Sequence, residues 1–405
     1  MRILHISKKI PYPQKDGESI ASTNLAKSLH TNGIEIDLAS LNTNKHYTDH
    51  QTAQENLDFY SEISIIDHEL KLSPALALKH LLTDSSYNIE RFKSVQFSKL
   101  LKNILSKRKY DCILLETIYV LPYLELIRRL SAAVIIIRAH NVEHHIWKNK
   151  AEQETNFAKA LYLDQLSKQL QEYQNKHITL CDGVITLSSV DYDWYVKRLP
   201  ESDLLLSPVG IDYQEYQNYQ KKDSAFSFGF IGAMDWQPNL NGINWYLKEV
   251  WPKVASYHQD LNFHIAGRNM PADFENRVSN GVINHGEVDH NLSFMSSLDV
   301  LVVPLFIASG IRVKIIEAMA MGKIVLTTSK GLQGISARHG KEVMIANSAS
   351  EFIQLHKIIL EDKSIAQRIS EHAREFAFHH FDQNKLTQHI IAFINRKIEE
   401  KLRLS

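Results

Sequence analysis

The sequence predicts an α/β protein of two Rossmann-like domains, each built on a parallel sheet, and three observations carry that prediction. Apolar runs of four to six residues recur along the chain, each followed by a turn-rich loop and a segment of helical period, which is the pattern of parallel strands with crossover helices. The 405 residues exceed what one hydrophobic core usually supports, so two domains of about 200 residues each are expected. A composition of 44% hydrophobic and 23% charged residues, with only 15 Gly and 10 Pro, belongs to a folded globular chain and not to a disordered or fibrous one.

In the first half the candidate strands are Arg2 to Ile6, Ile34 to Leu41, Ile63 to Ile66, Cys112 to Leu115, Val134 to Ile137, Gly183 to Leu187 and Leu204 to Leu206. The second half supplies Ser227 to Ile231, Asn262 to Ala266, Val282 to His285, Val300 to Pro304, Ile324 to Thr327 and Val343 to Ala346. A boundary falls near Pro208-Val209-Gly210-Ile211-Asp212, and the polar, strandless stretch Tyr213 to Ser224 after it reads as a hinge. The predicted domains are 1–208 and 209–380. Residues 381–405 form a final amphipathic helix, expected to pack back on the first domain through Leu386, Ile390, Ile391, Phe393 and Ile394.

Charge and cysteine content exclude several functions. Lys plus Arg (46) balances Asp plus Glu (46), which removes the global positive field of a general nucleic-acid binder. Any anion site must be local, and no nucleic-acid partner is expected. Cys112 and Cys181 lie far apart and form no zinc spacing, which fits a reducing compartment. The N-terminus turns polar at Ser7-Lys8-Lys9, too soon for a signal peptide, and no run of about 18 apolar residues occurs. The expected location is the cytoplasm, at most peripheral at the inner face of a membrane. The 20 histidines are scattered without an HExxH-like pair, so no metal site is expected. Asp191-Tyr192-Asp193 has the look of a metal motif but reads as a helix start after Ser188-Ser189.

Between Arg91 and Lys109, seven basic residues occur without an acidic one, and Phe97, Leu100, Leu101, Ile104 and Leu105 sit among them at helical spacing. Such a helix either docks on anionic lipid or covers the sheet with its apolar stripe and solvates its charges. Both roles are compatible.

The most informative segment is Leu301 to Gly322, LVVPLFIASGIRVKIIEAMAMG: a buried strand, a short loop ending in Ser309-Gly310-Ile311, then a helix. Unpaired N–H groups and the dipole at such a helix start favour an anion. Arg312 and Lys314 in the first turn oppose the dipole, a placement that makes sense if a diphosphate lies between them. The carboxylate of Glu317 is placed to accept hydrogen bonds from two ribose hydroxyls. The alternative is an ordinary crossover helix with exposed charges. In the first domain, His140 and Asn141 follow the strand Val134 to Ile137, at the sheet edge where open α/β sheets bind ligands. Glu143 is either part of that site or a first-turn acid supporting the next helix. Asp16-Gly17-Glu18-Ser19 reads as a loop whose backbone approaches a substrate, or as a plain turn in which Ser19 caps a helix from Ile20 to His30.

The segment ending Glu317-Ala318-Met319-Ala320 resembles the C-terminal signature of family-4 retaining glycosyltransferases. Other matches follow the family's order: Arg138-Ala139-His140-Asn141-Val142-Glu143, Gly183 to Ser188, Phe230-Ile231-Gly232-Ala233-Met234-Asp235-Trp236, and Ala266-Gly267-Arg268. The resemblance spans Met1 to about Ala346 and implies a GT-B fold, two Rossmann-like domains facing a central cleft. It implies a nucleotide-diphosphate sugar held mainly by the C-terminal lobe and an acceptor held by the N-terminal lobe. Retention of configuration, transfer of a hexose-type sugar and independence of metal also follow from it. The donor is then a substrate, and no cofactor is expected.

Carried onto this chain, the family's catalytic roles fall on His140, Lys314 and Arg312. Donor-binding roles fall on Gly17, Gly232, Arg268, Ser309, Gly310, Ile311 and Glu317, and acceptor-binding roles on Asp16, Asn141 and Glu143. The family's commonest setting, envelope or exopolysaccharide synthesis, implies a saccharide or lipid-linked acceptor. Two departures stand out: Ser309 replaces the first Glu of a Glu-x7-Glu pair, and Ala233-Met234-Asp235 follows Gly232 where the family has a conspicuous Arg and Lys. Arg312, Lys314 and Arg268 then take over neutralisation of the diphosphate. Closure about the hinge would exclude water from the donor. Rival readings are a GT-B sugar-nucleotide 2-epimerase and a non-catalytic sugar-nucleotide-binding subunit. A nicotinamide dehydrogenase is set aside because no GxGxxG opens either half.

Overall fold

The computed structural model describes residues 1–71, 73–81, 86–217, 219, 225–271, 274, 281–307 and 310–404. They form two compact units: Met1–Gly210 together with Gln383–Ser405, and Ile211–Asp382.

The first unit holds a seven-stranded sheet of order β3-β2-β1-β4-β5-β6-β7. Its strands are β1 (Arg2–Ser7), β2 (Glu35–Thr43), β3 (Glu62–His68), β4 (Cys112–Glu116), β5 (Val134–Ala139), β6 (Gly183–Thr186) and β7 (Leu204–Leu206). Every pairing is parallel. A parallel sheet is covered by helices on both faces, so its central strands are buried on both sides and mostly apolar, with Glu116 and Arg138 as charged exceptions at the carboxyl ends. β4 (CILLE) and β5 (VIIIRA) are buried throughout.

The second unit repeats the plan with a six-stranded parallel sheet of order β10-β9-β8-β11-β12-β13. Its strands are β8 (Ser227–Ile231), β9 (Asn262–Ala266), β10 (Val282–Asn284), β11 (Val300–Val303), β12 (Ile324–Thr327) and β13 (Met344–Ile345). β8 and β11 are wholly buried. The two edge strands are shorter than the sequence suggests, because each has a neighbour on one side only.

Both sheets reverse their winding at the centre, β1 beside β4 and β8 beside β11. Beyond the carboxyl ends of such paired strands the outgoing loops part and leave room for a ligand.

The first helix differs from expectation in its cap, and the basic helix takes the sheet-covering role. The first spans Gly17–Thr31, and its cap is Asp16, whose side chain accepts from Ser19 N; the expected Ser19 cap lies inside the helix. In Val95–Lys107, Phe97, Leu101, Ile104 and Leu105 are buried in the core, so the basic segment 91–109 spends its apolar stripe on the sheet. Arg108 beyond it pairs with Asp37 (3.0 Å) and Glu62 (2.7 Å). Of the expected hinge, Tyr213–Gln217 is a short helix, and residues 218 and 220–224 lie outside the described residues. The terminal helix Gln383–Leu404 places Ile390, Phe393 and Ile394 in one cluster with Leu25, Ile36 and Ile185 of the first unit.

Candidate functional site

In the second unit, Gly232 follows β8 and the loop after β11 leads to the helix Val313–Ala320. Gly310 in that loop has φ +69°, which side chains rarely adopt, so the turn requires glycine. Arg312 is the N-cap, one position before the first turn in which the sequence reading set it, and among the described residues no side chain caps the helix. The N–H groups and dipole of this start are therefore open to an anion.

Lys314 Nζ donates to Ile231 O (2.7 Å) and Asn239 Oδ1 (3.3 Å) and lies 4.6 Å from the centre of the Phe230 ring. Burial, and next Arg312, push this ammonium down to about 7. Burial lowers the 7% exposed Arg312 to about 10. Among the described residues neither cation forms an ion pair. Burial makes charge costly at both cations, and an anion at the adjacent helix start would offset that cost, most of all for Lys314.

Gly232 is glycine because of this contact: a Cβ there would lie 2.7 Å from Asn239 Nδ2 and 2.9 Å from Lys314 Nζ. Glu317 is 8% exposed and accepts from Tyr216 Oη at 3.1 Å; burial raises its carboxyl to about 7 against that hydrogen bond. Arg268, after β9, sets its Nε 3.7 Å from Asp235 Oδ1. Among the described residues, the buried Arg268 and Arg312 Nε atoms have no hydrogen-bond partner. The Arg312 guanidinium lies 5.7 Å from the centre of the Trp236 ring. Ile311 packs against the core below, and Ser309 lies outside the described residues. The structure thus gathers Gly232 and Lys314 with Asn239, and Arg312 with Trp236. Asn239 and Tyr216 escaped the sequence reading, and Trp236 entered it only as the end of the segment Phe230 to Trp236. Asn239 alone left a local trace, a polar residue after Pro238 at the start of an amphipathic helix.

In the first unit, the ends of β1, β4 and β5 carry a dense set of charged groups. Lys9 Nζ donates to both oxygens of Asp16 (2.8 and 2.6 Å), and Lys8 pairs with Glu18 at 2.9 Å. Lys8 also lies 4.4 Å from the centre of the Tyr119 ring, and Tyr119 Oη donates to Glu143 at 2.9 Å. Glu143 opens the helix Glu143–Gln153; burial raises its carboxyl, with Lys8 opposing. Gly17 is the exposed first residue of its helix, and Asn141 is partly buried in the turn after His140. That turn is held from outside: Asp191 accepts from Val142 N at 3.0 Å, while Ser188 caps the helix Ser189–Tyr195 by accepting from Asp191 N. Ser188 is therefore the cap, and Asp191, in the first turn of that helix, is the clamp. His140 Nε2 hydrogen-bonds Glu116, a carboxylate the sequence reading passed over. Among the described residues no three His, Cys, Asp or Glu side chains are placed to hold a metal ion, and no helix is long and apolar enough to cross a membrane.

Two parallel sheets with an anion-seeking helix start in the second describe the GT-B architecture of glycosyltransferases, and comparison with known proteins gives the same class. Residues 225–362 match the family of glycosyl transferases group 1. Over nearly its whole length the chain is similar to an uncharacterized 44.6 kDa protein of the cps region of Klebsiella pneumoniae, 24% identical across 95% of this chain and 97% of that one. Among solved structures it is similar to Anabaena HepE in complex with UDP, with a TM-score of 0.65 and 14% identity over 98% of this chain and 100% of that one. It is also similar to sucrose-phosphate synthase of Thermosynechococcus elongatus, with a TM-score of 0.71 and 14% identity over 98% of each chain.

Proposed function

We propose that the protein transfers a hexose-type sugar from a nucleotide-diphosphate sugar to a saccharide or lipid-linked saccharide acceptor, with retention and without a metal ion. The observation that carries this reading is the pair Arg312 and Lys314, both depressed by burial and, among the described residues, without an ion-pair partner, at the start of Val313–Ala320, which no described side chain caps. In glycosyl transfer the bond from the anomeric carbon to the diphosphate breaks and negative charge grows on the leaving oxygen. Fixed cations and N–H donors at that oxygen lower the barrier. Glu317, steadied by Tyr216, is placed to accept ribose hydroxyls. At the carboxyl edge of the first sheet, Asp16, Asn141, Glu143 and His140 offer polar groups to an acceptor.

HepE has been captured with UDP and with UDP-glucose, which makes UDP-sugars the first donors to try. The relative from a cps region points to a capsular or other surface polysaccharide as the product. The test is a thermal-shift and hydrolysis panel of nucleotide-diphosphate sugars in the presence of chelator. One donor is expected to stabilise the wild type and to be slowly hydrolysed. Glu317→Gln is expected to weaken that binding roughly tenfold, the loss of a charge-assisted hydrogen bond. Binding without turnover, whatever the acceptor, would leave a non-catalytic sugar-nucleotide-binding subunit instead.

A further inference from the structure

The register of the first sheet aligns ionisable side chains that are far apart in sequence. His5 pairs with Leu114 and Glu116 pairs with Arg138. Residues two apart on a strand share a face, so His5, Glu116 and Arg138 project together, and His140 follows one pleat beyond Arg138. Glu116 is 1% exposed, and both of its oxygens are engaged. Oε1 accepts from His5 Nε2 at 3.0 Å and Arg138 Nη1 at 3.1 Å, and Oε2 faces His140 Nε2.

Burial opposes ionisation of Glu116, but Arg138, His140 and His5 hold its carboxyl well below the usual carboxylate range. An ionised carboxylate only accepts hydrogen bonds, so the proton of a neutral His140 sits on Nε2 and its Nδ1 carries the lone pair. His5 is locked in the same sense: its Nε2 donates to Glu116 and its Nδ1 accepts from Tyr60 Oη at 2.8 Å.

A second observation marks this strand end. Thr117, directly after Glu116, has φ +70° and ψ 165°, a region left almost entirely to glycine. Its N–H bonds Arg138 O at 3.0 Å, and its buried Oγ1 has no hydrogen-bond partner among the described residues. A β-branched residue held in strain with an orphaned hydroxyl is a cost that nothing in the packing of β4 requires. Such strain concentrates where a side chain must be aimed.

We propose that Glu116 is the positioning residue of His140: through Nε2 it fixes the orientation and tautomer of the imidazole, so that Nδ1 is presented as a hydrogen-bond acceptor to a hydroxyl of the bound sugar substrate. The identity of that hydroxyl rests on the transferase reading. Arg138, bonded also to Ala21 O, and His5, bonded also to Tyr60, anchor the carboxylate so that it cannot follow the ring.

The experiment uses the full-length chain with 15N-labelled histidine, His140 being assigned by the signal lost in His140→Ala. The wild type is expected to show the Nε2–H tautomer. Glu116→Gln can turn an amide N–H toward the ring and is expected to invert or mix that tautomer. It should lower kcat about 10- to 100-fold with the donor KM nearly unchanged, the size of effect seen when an orienting partner is lost. In a His140→Ala background the same substitution should have no further effect on turnover, whereas a merely structural Glu116 would lower it equally in both. A wild-type Nδ1–H tautomer, or an undiminished effect in the His140→Ala background, overturns the proposal. If Glu116→Gln does not fold, the wild-type spectrum decides. A wild type that turns over no nucleotide sugar would defeat the transferase reading, while the tautomer still decides the placement of the ring.

Discussion

Lys314→Met is expected to lower sugar transfer about 10³-fold and, at the same time, to raise the thermal midpoint of the ligand-free protein. The loss follows from removing a fixed cation aimed at a developing negative charge, for which single donors contribute about 10²–10³-fold. The gain follows from the empty site. Lys314 has an amide and a carbonyl as partners, no carboxylate in ion-pair contact among the described residues, and Arg312 as a like-charged neighbour that outweighs the more weakly felt Glu317. A methionine of similar length fills the space beside Phe230 without that penalty, worth roughly 1–2 kcal/mol when an enclosed charge gives way to an apolar side chain. Stability exchanged for function in this way marks a group kept for its ligand. Single-turnover transfer and differential scanning calorimetry on one preparation check both halves. A variant less stable than wild type with unimpaired transfer would make Lys314 an ordinary structural residue.

The same group shapes the pH dependence. Folded Lys314 titrates near 7, so between about pH 7 and 10.5 the unfolded chain holds a proton that the folded chain has lost, and stability rises with pH in that window. Glu317 titrates near 7 from above its ordinary 4.5, so the folded chain holds the extra proton between those values and stability falls as pH rises. The two together place a minimum of ligand-free stability near pH 7. A nucleoside diphosphate needs the protonated Lys314, so its affinity should weaken above pH 7, approaching tenfold per pH unit, and Lys314→Met should lose that dependence. Calorimetric titration of UDP from pH 6 to 9 reads it directly.

The strands were legible because a parallel sheet buries both faces. Runs such as Cys112 to Leu115 and Val134 to Ile137 need no alternation to be recognised, although the order of the strands within each sheet is not their order along the chain. The edge strands were less so, since β13 pairs at only two positions and its sequence signal depends on one neighbour. The helix start at Arg312 was visible within one residue, whereas the cap of the first helix was read as Ser19. The structure selects Asp16, which also binds Lys9. What could not be read were partnerships across the sheet. Glu116 meets His140 only because β4 and β5 pair in a register that sets Glu116 opposite Arg138, and Tyr216 reaches Glu317 across 101 positions of sequence. A sequence shows which residues carry charge, and the register decides which of those charges meet.

Gly267→Ala should be among the most destabilising single substitutions in the second unit. Gly267 follows β9, and a Cβ there would lie 1.9 Å from the carbonyl oxygen of Gly232, which follows β8. Neither backbone can yield alone. Gly232 N is bonded to Ala266 O at 3.1 Å and Gly267 N to Gly286 O at 2.8 Å, so moving the end of β8 strains its bond to β9, and moving the end of β9 strains its bonds to both neighbours. The expected cost is roughly 3 kcal/mol or more, at the upper end of overpacking, and a fall in midpoint of about 6–12 °C for a unit of this size. The damage reaches the site, because Ile231 O holds Lys314 and the Gly232 backbone lies directly against its ammonium. Gly340→Ala is the control. Gly340 has φ +72° with nothing within 4 Å of its would-be Cβ, so only the backbone conformation resists a side chain, at about 1 kcal/mol. Thermal midpoints and UDP affinity measured on both variants separate steric contact from backbone strain: Gly267→Ala should lose both properties, and Gly340→Ala should lose a little stability and no affinity. Equal losses in the two would mean that the approach of β8 to β9 carries no special load and that the ammonium of Lys314 is placed by other contacts.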